Sequence, residues 1–77
     1  MERYKNLSGK SKITSYSIDE NSITILFDNE SFYLYSIMKV GLANMNQMKK
    51  LALQGLGLNS FINKNVSKLY DKKWKRV

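Results

Sequence analysis

The sequence has neither cysteine nor histidine among its 77 residues. No disulfide can therefore stabilise the fold, and the usual zinc, haem and iron–sulfur sites, which depend on these two residue types, are excluded. A domain of this size must draw its stability from a hydrophobic core, so most apolar residues should be used for packing. We expect a single small domain that holds no metal ion and no cofactor.

Long apolar runs are missing as well. No run approaches the roughly 20 residues that a membrane helix needs. The first residues, MERYKNLSGKSK, place no apolar stretch behind their charges, so we expect no signal peptide. The lack of cysteine agrees with a reducing compartment. These observations predict a cytoplasmic protein with no membrane partner.

Acidic residues are few, six against thirteen lysines and arginines, which gives a net charge of +7. The charge is unevenly placed: residues 1–12 carry +3, residues 13–38 carry −4 and residues 39–77 carry +8. An acidic middle between basic ends gives the protein a directional electrostatic field, which favours polyanions as the class of partner. The alternative is that lysine merely keeps a small protein in solution.

Three segments have the composition of strands. Residues 13–18, ITSYSI, are rich in β-branched and aromatic residues, and residues 23–27, ITILF, alternate between two faces. Residues 19–22 and 28–30 have turn chemistry, and residues 31–37 return as a third strand. Short connections predict an antiparallel meander. Residues 1–10 show no period, and we expect a flexible N-terminal segment there.

After residue 37 the apolar spacing changes to steps of three and four, which is typical of one face of a helix. The residues on this face are Met38, Leu42, Met45, Met48, Leu51 and Ala52. Gly55 and Gly57 would end this helix, and Asn59 or Ser60 could cap a second one.

The second helix would run into the basic C-terminus. Its apolar residues would be Phe61, Ile62, Val66, Leu69, Tyr70 and Trp74, and its outward lysines would be Lys64, Lys68, Lys72 and Lys75. The sequence thus predicts an α+β fold in the order β-β-β-α-α, a three-stranded antiparallel meander followed by two helices packed on one face. Residues 71–77 would be a basic helix end or tail.

The stretch ESFYLYSI leaves open which face of the third strand is buried. A loop of two or four residues after Phe27 would turn Tyr33 and Tyr35 outward, whereas a three-residue loop would turn them toward the core. Local chemistry favours the even loop, because a three-residue loop would require a positive φ at Glu30.

Phe27, Tyr33 and Tyr35 form the pattern F-x-x-x-x-x-Y-x-Y, which resembles the centre of the KTSC domain. This module is named from the C-terminus of some lysyl-tRNA synthetases and also occurs as a free-standing bacterial protein. Ile62-Asn63, Val66 and Tyr70 are similar to the family's last segment, so the resemblance covers residues 11–70 as one domain. Glu30 stands where the family has glycine. The resemblance implies that the tyrosines face inward, and the attachment to a tRNA-charging enzyme implies RNA as a partner.

Catalysis is not indicated. The carboxylates of the strand region, Asp19, Glu20, Asp28 and Glu30, all lie at turns, where acidic residues are ordinary. Gly55-Leu56-Gly57 follows a helix, unlike the strand-to-helix loops that bind dinucleotides. We expect a protein that is not an enzyme and has no small-molecule substrate.

The sequence DKKWKRV at residues 71–77 surrounds Trp74 with cations, which neutralise phosphates while an indole stacks on a base. An indole folded onto the core is an equal alternative. We predict a small module that binds RNA or single-stranded nucleic acid through a basic helical face, with Tyr33 and Tyr35 contributing if they face outward. The predicted contacts are Lys49, Lys50, Lys64, Lys68, Lys72, Lys73, Trp74, Lys75, Arg76, Tyr33 and Tyr35.

An inward tyrosine pair would leave an apolar patch of Leu26, Phe32 and Leu34 on the opposite sheet face. Such patches mark partner surfaces, dimer contacts or cover by a terminal segment. The alternative prediction is therefore a protein–protein interaction or dimerisation module that uses this sheet face.

Overall fold

The computed structural model describes residues 1–76 and has an α+β fold, as predicted. Its sheet is antiparallel, and the five strands follow one another in chain order. They are β1 (Glu2–Arg3), β2 (Ile13–Ile18), β3 (Ser22–Phe27), β4 (Ser31–Ser36) and β5 (Lys72–Lys75). The prediction of a three-stranded meander followed by two helices is wrong, because a strand from each end of the chain extends the sheet.

The three central strands lie where the sequence placed them. β2 pairs with β3 and β3 with β4, and an irregularity between Ile13 and Ser15 adds one residue to β2. Ile23 and Ile25 are fully buried, and we call the sheet face that bears them the inner face. Alternation of apolar and polar residues along β3 was therefore a sufficient signal for the core.

The loop between β3 and β4 has three residues, and this decides the orientation of the tyrosines. Tyr33 lies opposite Ile25 and Tyr35 opposite Ile23, so both rings belong to the inner face. Glu30 accordingly adopts the left-handed conformation, with φ of 66°. The loop is held by a hydrogen bond from the Glu30 N–H to the Phe27 carbonyl, 3.1 Å long. The even loop favoured by local chemistry is wrong, and the inward pair implied by the resemblance is confirmed.

The N-terminal residues, expected to be a flexible segment, contribute to the sheet and the core. β1 pairs with β2, and the Tyr4 side chain is only 3% exposed. The backbone N–H of Leu58 donates to the Tyr4 hydroxyl over 3.3 Å, and the N–H of Leu7 donates to the Gly55 carbonyl over 2.8 Å. Burial raises the pKa of the Tyr4 hydroxyl, and the hydrogen bond from Leu58 partly offsets this rise.

The first predicted helix consists of two pieces, α1 (Ile37–Val40) and α2 (Leu42–Gln54), separated by Gly41. Met45, Met48 and Ala52 are buried as predicted. Met38 and Leu42, however, are 96% and 60% exposed, so their assignment to the core face is wrong. The positive φ of Gly41, 85°, interrupts the helical phase that the sequence pattern assumed to be continuous. Gly55 ends α2 as predicted, with φ of 77°.

The second predicted helix is much shorter than expected. It comprises α3 (Leu58–Phe61) and a π-helical turn (Ile62–Val66). Gly57, not Asn59 or Ser60, precedes its first turn, and the Asn59 amide oxygen instead accepts the Lys12 backbone N–H over 3.2 Å. The chain beyond the π-helical turn leaves the helical layer and pairs with the open edge of β4, so a common helical face for Lys64, Lys68, Lys72 and Lys75 is wrong.

The core lies between the inner sheet face and the helical layer. Fully buried side chains from the two layers meet there: Ile23, Ile25, Tyr35, Met45, Met48, Leu58 and Val66. The outer sheet face bears Leu26, Phe32, Leu34 and Trp74, and these residues stand outside that core cluster. Within residues 1–76, no helix has both the length and the apolar character required to cross a membrane.

Candidate nucleic-acid interface

The outer face carries a stacked aromatic pair at the β5 edge. Phe32 and Trp74 lie opposite each other on β4 and β5, with ring centroids 5.3 Å apart and planes inclined by 15°. Trp74 is 44% exposed. Because β5 is the last strand of the sheet, one face of the indole rests on Phe32 and the other is directed beyond the edge. The indole is therefore neither sealed in the core nor free in solution.

The rest of β5 is cationic. Strand alternation places Lys72 on the same side as Trp74, and Lys73 and Lys75 on the inner side. All four residues of β5 are exposed. Lysines on an edge strand also protect its unpaired backbone from association with another chain. The segment thus presents positive charge on both faces of the strand, with Lys72 on the face that bears the indole.

Neighbouring groups order several of these cations. The Lys73 ammonium lies 5.9 Å from the centre of the Tyr33 ring and 5.8 Å from that of Tyr70. The Lys75 ammonium donates to the Asn29 carbonyl over 3.1 Å. Each contact leaves the charge at the surface, where it can still attract an anion.

Arg76 joins this edge to the β3–β4 loop. The Arg76 guanidinium lies 3.2 Å from the Glu30 carboxylate, and the Arg76 backbone N–H donates to the Glu30 backbone carbonyl over 2.7 Å. Both side chains of the ion pair are 57% exposed, so the pair contributes little to stability. The backbone bond matters more, because it fixes the end of β5 beside the loop.

The two predicted tyrosines do not form an outward platform. Tyr35 is 1% exposed, and burial, with a smaller contribution from Tyr33 and Tyr70, raises the pKa of its hydroxyl. Tyr33 is half-buried and packs in T-shaped contacts with Phe27 and Tyr70, at centroid distances of 5.2 and 5.1 Å. Stacking by this pair on the outer face, the even-loop possibility, is therefore excluded.

The remaining predicted lysines are divided between the two ends of the sheet. The Lys49 ammonium donates to the Glu20 carbonyl over 2.8 Å, in the β2–β3 turn, and Lys50 follows it on α2. The length of β3, six residues or roughly 20 Å, separates that turn from the β3–β4 loop beside Arg76. Lys64 and Lys68 adjoin Asn63 and Ser67, which lie near the β3–β4 loop. The structure thus brings residues 72–76 together and leaves Lys49 and Lys50 at the far end.

The apolar patch proposed for protein binding is partly filled. Leu26 is 4% exposed, and Phe32 and Leu34 are half-buried. Trp74 stacks on Phe32, so a terminal segment covers part of the patch, one of the three outcomes that such a surface allows.

Sequence reasoning missed the partnership of Phe32 with Trp74. The signal that could have found it is the alternation in KKWK, where a lone aromatic residue between lysines fits an exposed strand as well as a helix. Lys12, which lies with Phe27 and Tyr33 around a cleft below the β3–β4 loop, was also not singled out. Among residues 1–76, no group of three or more carboxylates comes together that could hold a metal ion.

Comparison with known proteins gives no relative: no family model, no curated protein and no solved structure matches this chain. The resemblance to the KTSC domain therefore stays a prediction.

Proposed function

We propose that this protein is a small, non-enzymatic module that binds RNA or another single-stranded nucleic acid along the β5 edge. The observation that carries the proposal is the half-exposed indole of Trp74, stacked on Phe32 in an exposed strand whose other residues are Lys72, Lys73 and Lys75. Aromatic platforms beside a basic groove are the common solution for binding single strands with little sequence preference.

Two features support a single strand over a duplex. An indole can stack only on a base that is free of its own neighbours, whereas the bases of a duplex are already stacked. The cations on either side of Trp74 would meet the phosphates of a strand that runs along the edge. Preorganisation by Phe32 lowers the entropy lost when the indole is fixed by a base.

A cytoplasmic location stays a prediction.

The proposal is tested by NMR titration of the labelled protein with single-stranded and double-stranded 12-mers of the same sequence at low salt. We expect the single strand to shift the amide signals of β5 and of Phe32, and to bind more tightly than the duplex. Signals of Lys49 and Lys50, beside the β2–β3 turn at the far end of the sheet, should stay in place. No shift with either RNA or DNA at low salt would end the proposal.

A second candidate is a protein-interaction module acting through Leu26, Phe32 and Leu34. One observation favours it: these residues lie on a sheet face outside the core cluster, and the side chains of Phe32 and Leu34 are partly exposed to solvent. Leu34→Ser tests it without removing the stacked pair. A monomer whose recovery of protein partners is unchanged by Leu34→Ser would eliminate this candidate.

A further inference from the structure

A cleft on the inner face opens beside the β3–β4 loop, between the sheet and the π-helical turn. Its volume is about 190 Å³. Pockets that bury a drug-sized molecule have volumes of about 300 to 1,000 Å³, so this cleft suits a ligand no larger than one ring system with its substituents. Single-turn π-helical segments occur frequently at functional sites, and here Asn63 in the turn and Ser67 directly after it line the cleft wall.

The interior of the cleft is aromatic and apolar. Tyr35 and Ile62 are buried at its base, and the half-buried rings of Phe27 and Tyr33 stand beside them. The planes of Tyr33 and Tyr35 are inclined by only 15°, with centroids 6.4 Å apart. The two tyrosines thus pack on each other, and the ring surface left for a planar ligand belongs to half-buried Phe27 and Tyr33.

The rim of the cleft is polar and exposed. Asp28, Asn63 and Lys12 lie there, and neither the Asp28 carboxylate nor the Lys12 ammonium forms an ion pair with another residue in the part of the chain that the structure describes. The rim therefore provides an acceptor, an amide and a cation beside an aromatic interior. A second groove, lined by Tyr33, Lys73, Trp74 and Lys75, shares Tyr33 with the cleft and continues toward the β5 edge.

We propose that this cleft binds one nucleobase that carries an amino group in the position of the uracil O4 carbonyl, adenine or cytosine, in preference to uracil. The carboxylate of Asp28 accepts from the amino group, the Asn63 amide N–H donates to the adjacent ring nitrogen, and the base packs against the half-buried rings of Phe27 and Tyr33. Lys12 neutralises the attached phosphate. The base comes either from a bound strand or from a free nucleotide. If it comes from a strand, this inference rests on the proposed function, and if it comes from a free nucleotide it does not.

The choice between bases follows from hydrogen-bond direction. An ionised carboxylate only accepts, so it matches the amino group of adenine or cytosine and opposes the carbonyl oxygen that uracil has in the same place. Discrimination by one such polar group is on the order of tenfold. Phosphate contacts along β5 carry no base information, so preference and overall affinity should depend on different residues.

The test compares A-rich and U-rich single strands of equal length, together with AMP and UMP, on the wild type and on Asp28→Asn. We expect the wild type to prefer the A-rich strand by about tenfold. Asp28→Asn should abolish that preference without weakening the U-rich complex, because it removes a negative charge. AMP should shift the signals of Tyr33 and Asn63, and UMP should not.

Each outcome separates the two sources and the two proposals. Shifts with AMP alone assign the cleft to a free nucleotide, and shifts with the A-rich strand alone assign it to a base of the strand. Strand binding at Trp74 with equal affinity for both sequences, no cleft shifts and no effect of Asp28→Asn overturns the cleft and leaves the β5 interface intact. Absence of binding by every probe overturns both.

Discussion

The rings of Phe32 and Trp74 stack across the β4–β5 pair with a centroid distance of 5.3 Å. This contact joins the last strand to the sheet and orients the protein's single tryptophan toward the edge. The same residue thus contributes to the fold on one face of its ring and offers the other face to a ligand.

Replacement of Trp74 should separate these two contributions. Stacking of one base on an aromatic ring is worth about 1 to 3 kcal/mol, so Trp74→Ala should weaken single-strand binding by roughly tenfold or more. Trp74→Phe keeps a ring on Phe32 and should retain most of the affinity. Fluorescence anisotropy of a labelled 12-mer measures both. Equal affinity of Trp74→Ala and the wild type, with the fold intact by circular dichroism, would contradict stacking by the indole.

Glu30 should be a point of backbone strain. An L-residue in the left-handed region costs about 1 kcal/mol or more relative to glycine, and Glu30 has φ of 66°. Glu30→Gly and Glu30→Gln both lose the ion pair with Arg76, but only the glycine relieves the strain. Urea unfolding should show Glu30→Gly more stable than Glu30→Gln by about 1 kcal/mol. Equal stabilities would show that the loop adopts another conformation.

Gly55 should be intolerant of a side chain. Its φ is 77°, and an added Cβ would meet the side chain of Lys5. Gly9 is the matched control, with φ of 72° and open space around it. Gly55→Ala should therefore lower the free energy of unfolding by about 2 kcal/mol or more, and Gly9→Ala by about 1 kcal/mol. Similar losses at both positions would mean that the N-terminal segment does not pack against Gly55.

Tyr35 should make the protein sensitive to alkali. Burial raises the pKa of its hydroxyl in the folded state above the usual value of 10. At high pH the unfolded chain loses this proton first, so the stabilisation is complete below about pH 10 and declines as the pH rises further. The free energy of unfolding of the wild type should fall more steeply above pH 10 than that of Tyr35→Phe. If the free energies of unfolding of the wild type and Tyr35→Phe follow parallel pH profiles, the Tyr35 hydroxyl is in contact with water in the folded state.

The buried layers could be predicted from the sequence because burial leaves a period. β3 alternates, and Met45, Met48 and Ala52 repeat at helical spacing, so each pattern indicated its own element. The predicted burial of Met38 was wrong because the positive φ of Gly41 interrupted the helical phase. A local backbone choice of this kind has no periodic signature.

The two edge strands could not be predicted in the same way. Every residue of β5 is exposed, so no apolar face distinguishes a strand from a helix end. Its conformation depends on contacts distant in sequence, such as the bond from the Asp71 N–H to the Leu34 carbonyl and the stack on Phe32. β1 likewise depends on the burial of the adjacent Tyr4.

The odd number of residues in the β3–β4 loop shows how tertiary contacts override a local preference. The three-residue loop costs about 1 to 2 kcal/mol at Glu30. In return, Tyr33 contacts the rings of Phe27 and Tyr70, and Phe32 meets Trp74. Aromatic pairs contribute about 0.5 to 1.5 kcal/mol each, so these three contacts together match the local cost or exceed it. The candidate site could be located from its composition, while its geometry depended on this register.

The central claim, that the β5 edge binds the phosphates of a single strand, is tested most directly by salt dependence in two double variants. Lys72→Gln/Lys73→Gln removes two charges at the edge, and Lys39→Gln/Lys50→Gln removes two in the helical layer. The slope of log affinity against log salt for a 12-mer, followed by Trp74 fluorescence, should become shallower by about 1.4 in the first variant and stay unchanged in the second. Equal slopes in both variants would contradict the claim.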